Sequence, residues 1–285
     1  MMAKAAGSAA DLVFLDLEDS VSPAHKPEAR TKVATALREL DWSGKTRAIR
    51  INGPGSEWAR DDLTEIVTES GSELDVVIVP KVKSTEDVRW VDQVLTELEG
   101  DSPGAASIGI EVLIEEVEGL LAVEEIATSS PRVETLIFGS GDLAASQGVR
   151  TSMMDDYPGD LWIYHRTRIA LAASAAGVAA IDGPYWGAIS NTEGYRAECL
   201  QASIVGFTGK WAIHPDQIGI ANEAFAPNEE EVGYSQRVID ACAEAAREGR
   251  GAISIDGVMV DAVDVRLAEA VLARADQIGT EARDD

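Results

Sequence analysis

The sequence predicts an α/β fold of the (β/α)8 barrel type, and three observations support this prediction. Apolar, β-branched segments alternate along the chain with segments of helical periodicity. Several of the apolar segments are hydrophobic at successive positions, as expected for parallel strands that are covered on both faces. The strand and helix units recur about every 30 residues, which is the spacing of a barrel of roughly 250 residues.

Seven strands are predicted in chain order, with amphipathic helices between them. Because a helix follows each strand, the connections are crossovers, and the sheet is expected to be parallel. An open, doubly wound sheet is the alternative fold. The predicted strands cover residues 11–17, 46–52, 75–82, 107–115, 133–139, 178–185 and 206–214.

The two ends of the sequence differ from a regular barrel. The opening residues, MMAKAAGSAA, are typical of a helix, so we expect the first strand of an eight-stranded barrel to lie upstream of this chain. After the seventh strand, an amphipathic segment near residues 229–249 precedes a predicted turn or hairpin and a final helix. We therefore predict a barrel over residues 1–225 and a C-terminal helical extension over residues 226–285.

The charge composition excludes some functions and suggests an environment. The 285 residues carry a net charge of −26, with 50 Asp and Glu against 24 Lys and Arg, which argues against binding a nucleic-acid backbone. The same excess is typical of a halophilic protein whose self-repulsion is screened by salt; an ordinary acidic enzyme is the alternative. No apolar run is long enough to span a membrane and no secretory leader is recognised, so we predict a cytoplasmic protein.

Polar residues collect where the predicted strands end. In a β/α barrel, the carboxyl ends of the strands form the active-site face. Several acids with few cations, and without a cysteine or histidine cluster, favour a hard cation, Mg²⁺ or Mn²⁺. The strand-end residues are Asp16, Glu18, Asp19, Arg50, Asn52, Lys81, Glu115, Asp142, Asp182, Lys210 and His214.

Glu115 and Asp142 are the predicted metal ligands, because they follow neighbouring strands and their carboxylates could share one ion. Glu111 points to the same face as Glu115 but lies about 13 Å deeper, so it is assigned to a lower layer of the barrel. The segment GSGDLA, residues 139–144, also matches a dinucleotide-binding pattern, but Asp142 would face the pyrophosphate. We prefer a site in which glycines such as Gly141 let a substrate approach the backbone.

Three further residues have alternative interpretations. Arg50 lies late in its strand, where its guanidinium could bind a substrate carboxylate or form an ion pair with Asp16 or Glu18. Lys81 is at least as consistent with an ion pair behind the metal ligands as with direct catalysis. His214 precedes a proline and is therefore expected in extended backbone, where a structural role is the default and substrate contact the alternative.

Seven segments, in this order along the chain, carry a family resemblance: ADLVFLDLEDSVSPAHKPEAR, RINGPGSEWARDD, VIVPKV, LIEEVEGLLAVEEIATSSPRV, FGSGDLAASQG, GKWAIHPDQIGIANEAFAP and GVMVDAVDVRLAEAV. They resemble the citrate lyase β-subunit and malyl-CoA lyase family. Within that family, GDLAAS and VEEIATSSPR are most similar to the malyl-CoA and β-methylmalyl-CoA lyases. The resemblance extends over nearly the whole chain.

The resemblance implies a Mg²⁺-dependent barrel enzyme that splits a 3-hydroxyacyl-CoA into glyoxylate and acetyl-CoA or propionyl-CoA. Residue by residue, the metal ligands of the family correspond to Glu115 and Asp142. The substrate-binding arginine corresponds to Arg50. The segment around Ile213 and His214 is expected near the bound thioester.

The resemblance also assigns residues outside the strand ends. Lys4 matches a lysine that contacts CoA. Asp261, in the segment MVD, matches an acid that in the family reaches into the active site of a neighbouring subunit, so a homotrimer or homohexamer is implied. From their strand-end positions, and not from the resemblance, Glu18, Asp19 and Lys81 are expected to lie behind the metal ligands.

Several activities are compatible with this predicted metal site. A citramalyl-CoA or citryl-CoA lyase, or a malyl-CoA thioesterase, would use the same ligands. A non-catalytic acyl-CoA-binding subunit is an alternative of a different class. The family's first strand, with a further CoA-contacting arginine, has no counterpart in this sequence, and the segment after QGVRT is shorter than in bacterial malyl-CoA lyases.

Overall fold

The chain folds into two compact units, which are described here from a computed structural model. The units are Met1–Ala221 and Asn222–Asp285. The structure describes residues 1–100, 107–152 and 159–281. The first unit contains a parallel sheet with its helices, and the second contains two long helices and a hairpin. The role predicted for the second unit in a neighbouring subunit stays a prediction.

The first unit is built on a sheet of seven parallel strands, each hydrogen-bonded to the next one along the chain. This order confirms the predicted α/β class with crossover connections. Each of the seven predicted strands overlaps one observed strand. The strands are β1 (Leu12–Asp16), β2 (Thr46–Arg50), β3 (Val76–Val79), β4 (Gly109–Ile114), β5 (Val133–Phe138), β6 (Ala179–Asp182) and β7 (Gly209–Lys210).

Helices connect the strands and precede the first of them. None of the helices in the described residues has an apolar stretch of the length that a bilayer crossing requires. The helices of this unit are α1 (Met2–Ala6), α2 (Lys26–Glu39), α3 (Ala59–Ser70), α4 (Thr85–Glu99), α5 (Val117–Leu121), α6 (Val123–Ile126), α7 (Ser140–Gln147), α8 (Ile163–Ala176), α9 (Thr192–Ile204) and α10 (Pro215–Phe225), the last of which continues past Ala221.

The sheet curls around an apolar interior. Phe14 in β1 and Trp211, directly after β7, pack with their ring centroids 4.6 Å apart, although these strands are the first and last in the sheet order. Such a contact requires a strongly curved sheet, so the barrel-type prediction is confirmed and the open, doubly wound alternative is wrong. The interior cluster consists of Ala48, Val76, Ile78, Leu113 and Ile137, with Leu12, Phe14, Ile181 and Trp211 packed against it.

The seventh strand is shorter than the sequence predicts. The apolar pattern indicates a strand over residues 206–214, whereas β7 has two residues. The Trp211 N–H still donates to the Asp182 carbonyl of β6 at 2.9 Å. The Ile213 N–H instead donates to the side-chain oxygen of Gln217 at 2.9 Å, because the chain has already turned towards α10. This early turn makes Ile213 and His214 loop residues.

The second unit is a helix, hairpin and helix, as the sequence predicts. Its elements are α11 (Glu229–Arg247), β8 (Ile253–Ile255), β9 (Val258–Val260) and α12 (Ala262–Glu281). The hairpin turns at Asp256 and Gly257, whose φ values of 50° and 83° fit the primed turns that suit the twist of paired strands. Val238, Val260 and Ala268 form the buried core of this unit.

Two glycines on helices of the first unit predict opposite effects on stability. A Cβ at Gly119 in α5 would lie 2.1 Å from the Val82 carbonyl oxygen, whereas a Cβ at Gly219 in α10 would meet nothing within 4 Å. We expect Gly119→Ala to lower the free energy of unfolding by about 1–3 kcal/mol. Gly219→Ala should raise it by up to about 1 kcal/mol, because alanine favours the helix. Urea-induced unfolding of both variants measures the difference, and equal stabilities would contradict the packing described at Gly119.

Candidate metal centre and active site

The carboxyl ends of β1 to β5 bring together five carboxylates and two cations, which we call the rim cluster. Asp16 and Arg50 end β1 and β2 and are partners in the strand register. Glu115 follows β4 directly, and Asp142 lies in the first turn of α7 after the neighbouring strand β5. The parallel sheet therefore places residues that are distant in sequence on one edge. The rim cluster consists of Asp16, Glu18, Asp19, Arg50, Lys81, Glu115 and Asp142.

Arg50 is held by two carboxylates and two aromatic rings. Its Nε and Nη2 donate to the two oxygens of Asp16 at 2.8 and 2.7 Å, and its Nη1 lies 3.0 Å from Glu18 Oε2. Its Cζ lies 5.8 Å from the ring centroid of Phe14 and 5.9 Å from that of Trp211. The two-pronged ion pair fixes the plane of the guanidinium. The ion pairs that the sequence offered as an alternative role for Arg50 are thus both present.

Lys81 contacts both predicted metal ligands. Its backbone N–H donates to Glu115 Oε1 at 2.9 Å, and its Nζ lies 3.7 Å from Asp142 Oδ2. The Nζ also donates to Glu18 Oε1 at 2.6 Å and to Asp19 Oδ1 at 3.2 Å. Glu18, Asp19 and Lys81 therefore form one ion-pair group next to Glu115 and Asp142.

Glu115 is the more buried of the two predicted ligands. It has 4% of its surface exposed, whereas the side chain of Asp142 is 42% exposed. Burial, together with the charges of Glu18 and Asp142, raises the pKa of Glu115 to about 8. A carboxyl that ionises with such difficulty is stabilised as an anion by a cation placed beside it. The rim cluster has fewer cations than carboxylates, so its donor set fits a divalent metal ion.

The kind of metal follows from the donors. In the described residues, no group of three or more His, Cys, Asp or Glu side chains is arranged around a common ion position. Glu115 and Asp142 would therefore bind a metal with water or substrate oxygens as the remaining ligands. Mg²⁺ is commonly held in this way, by one or two carboxylates.

Glycines in the segment after β5 make room for these side chains. A Cβ at Gly139 would lie 2.6 Å from the Cβ of Glu115, so only glycine allows the two strand ends to approach so closely. Gly141 is exposed, and a Cβ there would lie 4.0 Å from the Trp186 ring. The glycines of GSGDLA thus have a packing role at Gly139 and border an aromatic residue at Gly141.

The strand-end residues of β6 and β7 form a separate, buried cluster. Asp182 accepts hydrogen bonds from the Nε and Nη2 of Arg166 at 3.0 and 3.2 Å, and from Lys210 Nζ at 2.5 Å. Lys210 also donates to Glu198 at 2.6 Å and to the Gly183 carbonyl at 2.7 Å. These groups satisfy one another and fix the loop that begins at Gly183.

The remaining predicted site residues belong to other elements of the chain. Lys4 is exposed on α1, which borders a cavity of about 400 Å³ lined by the carboxyl-terminal half of α2. Ile213 and His214 lie in the loop after β7, with Ile213 exposed. Asp261 lies in the second unit, where its Oδ1 accepts the Val263 N–H at 2.7 Å and caps α12. The functional roles of these residues stay predictions.

One buried residue that supports the rim cluster is not indicated among the strand-end residues of the sequence. Lys26 is buried, and its Nζ donates to the carbonyls of Leu17 and Glu18 at 2.9 and 3.1 Å and to Asn52 Oδ1 at 2.5 Å. It thereby fixes the backbone that carries Glu18. A signal was available, because Lys26 lies on the same face of α2 as the buried Val33 and Leu37.

Comparison with known proteins places the chain in a family. The family model described as HpcH/HpaI aldolase/citrate lyase matches residues 1–215. The chain belongs to this family. The resemblance inferred from seven sequence segments is thereby confirmed.

Two curated relatives and one solved structure illustrate the range of this HpcH/HpaI family. The L-malyl-CoA/beta-methylmalyl-CoA lyase of Rhodobacter capsulatus is 36% identical over 286 residues, covering 96% of this chain and 90% of the relative. A (3S)-malyl-CoA thioesterase of Cereibacter sphaeroides is 36% identical over 276 residues, with the same coverage. The CitE protein of Mycobacterium tuberculosis, in complex with magnesium, acetoacetate and coenzyme A, has a TM-score of 0.75 and 33% identity, covering 96% of this chain and 92% of that structure.

The raised pKa of Glu115 predicts a pH dependence of stability in metal-free protein. The pKa of this carboxyl is 4.5 in the unfolded chain and about 8 in the folded chain, so the folded protein loses stability as the pH rises across that interval. Glu115→Gln removes the titration and keeps an oxygen for the Lys81 N–H. We expect this variant to be more stable than the wild type at pH 9 in the presence of a chelator, by on the order of 3 kcal/mol, with a much smaller difference at pH 5.

Urea-induced unfolding at several pH values, with chelator throughout, measures this difference. A constant offset between the two proteins from pH 5 to pH 9 would show that the carboxyl of Glu115 titrates as in the unfolded chain.

Proposed function

We propose that this chain is a Mg²⁺-dependent carbon–carbon lyase that reversibly cleaves malyl-CoA or β-methylmalyl-CoA to glyoxylate and acetyl-CoA or propionyl-CoA. The observation that carries the proposal is the pair Glu115 and Asp142 at neighbouring strand ends, with Arg50 fixed on the same edge. The name of the Rhodobacter capsulatus relative and the magnesium and coenzyme A of the CitE structure support it.

The rim cluster has the groups that such a cleavage needs. Glu115 and Asp142 would hold Mg²⁺, which when bound polarises the hydroxyl and carboxylate oxygens of the substrate. Arg50 keeps its guanidinium plane fixed through Asp16, so it can donate to an oxygen on which negative charge develops as the carbon–carbon bond breaks. Because the guanidinium is already oriented, little reorganisation is needed during the reaction.

Asp261 is the proposed acid and base at the acyl α-carbon. It would protonate the thioester enolate in cleavage and remove the same proton in condensation. Its Oδ1 accepts the Val263 N–H at 2.7 Å, which fixes the orientation of the carboxyl group at the amino end of α12. We infer that it serves the site of a neighbouring subunit, in a homotrimer or homohexamer.

A thioesterase is the second candidate, favoured by the 36% identity to the (3S)-malyl-CoA thioesterase of Cereibacter sphaeroides. The same residues would then direct water at the thioester carbonyl, and the product would be free malate. Citramalyl-CoA and citryl-CoA lyase activities would also use this metal site. The products formed, and not the metal requirement, distinguish these activities.

Product analysis tests the proposed lyase directly. In a buffer of high salt concentration, chosen because of the net charge of −26, malyl-CoA with Mg²⁺ should yield glyoxylate and acetyl-CoA in equal amounts. A chelator should abolish the reaction, and Asp142→Asn should lower kcat/KM by at least about a hundredfold, because one metal ligand is lost. Free malate without glyoxylate would contradict the lyase and support the thioesterase.

Replacement of Asp261 separates proton transfer from metal binding. We expect Asp261→Ala to lower kcat by about 10²- to 10⁴-fold, the range of general acid–base catalysis, with Mg²⁺ affinity unchanged. Asp240→Ala removes an exposed carboxylate from α11 of the same unit and is the matched control. Turnover and isothermal titration with Mg²⁺ measure the two effects. Near-normal turnover of Asp261→Ala would remove this residue from the mechanism.

A further inference from the structure

We propose that Lys81 is a positioning residue with two opposed effects: its backbone N–H holds the proposed metal ligand Glu115 in place, and its ammonium, beside Asp142, lowers the affinity of the substrate-free site for a divalent cation. The inference rests on the proposed function, because it concerns the metal that Glu115 and Asp142 would bind. It goes beyond the proposed function because two metal ligands alone do not imply that a neighbouring ammonium lowers the affinity of the site for the metal.

The backbone of Lys81 is in an unfavourable conformation that serves Glu115. Its φ of 55° lies in the left-handed region, which among the described non-glycine residues is shared only by Asp256 in the hairpin turn of the second unit. Glycine adopts this conformation without steric cost, whereas lysine does not. In this conformation the Lys81 N–H donates to Glu115 Oε1 at 2.9 Å. A backbone strain of this kind at a site indicates that a specific geometry is required.

The side chain explains why lysine occupies the position. Its Nζ is tethered by the buried Glu18 at 2.6 Å and by Asp19 at 3.2 Å. At 3.7 Å it approaches Asp142 Oδ2 as a charge, without a close hydrogen bond. The ammonium therefore stands beside one proposed ligand while the N–H of the same residue binds the other.

A fixed positive charge beside a metal ligand repels an incoming cation. Without the Lys81 ammonium, the rim cluster would have Arg50 as its single cation, and a divalent ion would meet a stronger negative field. Glu18 and Asp19 would at the same time lose their partner, so the groups around Arg50 would be less well ordered for the reaction. Removal of the charge should therefore tighten metal binding and slow turnover. If Lys81 had only a structural role, its removal would weaken metal binding and also slow turnover.

Binding of Mn²⁺ tests the electrostatic part without an activity measurement. Free Mn²⁺ is measured by electron paramagnetic resonance during titration of the wild type and of Lys81→Met. We expect Mn²⁺ to bind Lys81→Met about tenfold more tightly, as loss of one nearby charge at a partly exposed site implies. With Mg²⁺ and malyl-CoA at saturation, kcat of Lys81→Met should be at least tenfold lower than that of the wild type. Lys81→Arg keeps the charge and should bind Mn²⁺ like the wild type.

Lys83→Met is the matched control. Lys83 belongs to the same loop, is exposed and lies 3.6 Å from Glu116, outside the rim cluster. Lys83→Met should change neither Mn²⁺ affinity nor turnover. If it changed them as Lys81→Met does, the effect would come from the loss of any positive charge in this loop and not from the position of Lys81.

Two further variants separate the backbone from the side chain. Lys81→Gly and Lys81→Ala both remove the ammonium, but glycine tolerates the left-handed conformation and alanine does not. Both should bind Mn²⁺ more tightly than the wild type, and Lys81→Gly should have the higher Tm. A higher Tm for Lys81→Ala would contradict the backbone part of the proposal.

The possible failures are distinguishable. If the wild type binds no Mn²⁺, the proposed function fails. If the wild type binds Mn²⁺ and Lys81→Met binds it equally or more weakly, the role of Lys81 is wrong and the proposed function stands.

Discussion

The constraint on which the candidate site depends is a deficit of positive charge at the carboxyl edge of the sheet. Five carboxylates share Arg50 and Lys81, and one of the two buried acids, Glu115, receives a backbone N–H as its hydrogen-bond donor. Carboxylates that are buried without full compensation are costly. Each cation is therefore used by more than one acid, and the positions of the side chains become interdependent.

The surrounding structure converts this unfavourable grouping into a fixed geometry. On one side, Lys26 binds the backbone carbonyls of residues 17 and 18 and so holds the loop from which Glu18 extends. On the other side, Lys210 and Arg166 neutralise Asp182 below the loop after β6. Both arrangements are buried and act on backbone segments. Sites that hold reactive groups precisely depend on such support from behind.

The sequence was sufficient for those features that depend on local pattern. Seven apolar segments with helices between them predict the parallel sheet. The end of each apolar segment marks a strand end, so the sequence alone indicates Arg50, Glu115 and Asp142 as edge residues. The short β7 could not be predicted, because its end depends on Gln217, which takes the Ile213 N–H after the chain has turned. The hydrophobic pattern of residues 206–214 does not indicate this hydrogen bond.

Other features depend on contacts between distant parts of the chain and were inaccessible for the same reason. The packing of Trp211 against Phe14 joins residues nearly two hundred positions apart and requires the curl of the whole sheet. The left-handed backbone at Lys81 has no signal in its residue type, since lysine rarely adopts it. The sequence thus predicts which acids lie on the edge of the sheet. The hydrogen bonds and ion pairs that join these acids to Arg50 and Lys81 are seen only in the structure.

The uneven charge of the rim cluster also bears on the order in which ligands can arrive. An anionic ligand that approaches the edge of the sheet before any metal ion meets more carboxylates than cations and is repelled. A divalent ion held by Glu115 and Asp142 would reduce this excess of negative charge and offer an anionic ligand a cation to coordinate. In the proposed site, prior occupancy by the metal would therefore favour binding of the anion, so the charge of the edge favours an order in which the cation binds first.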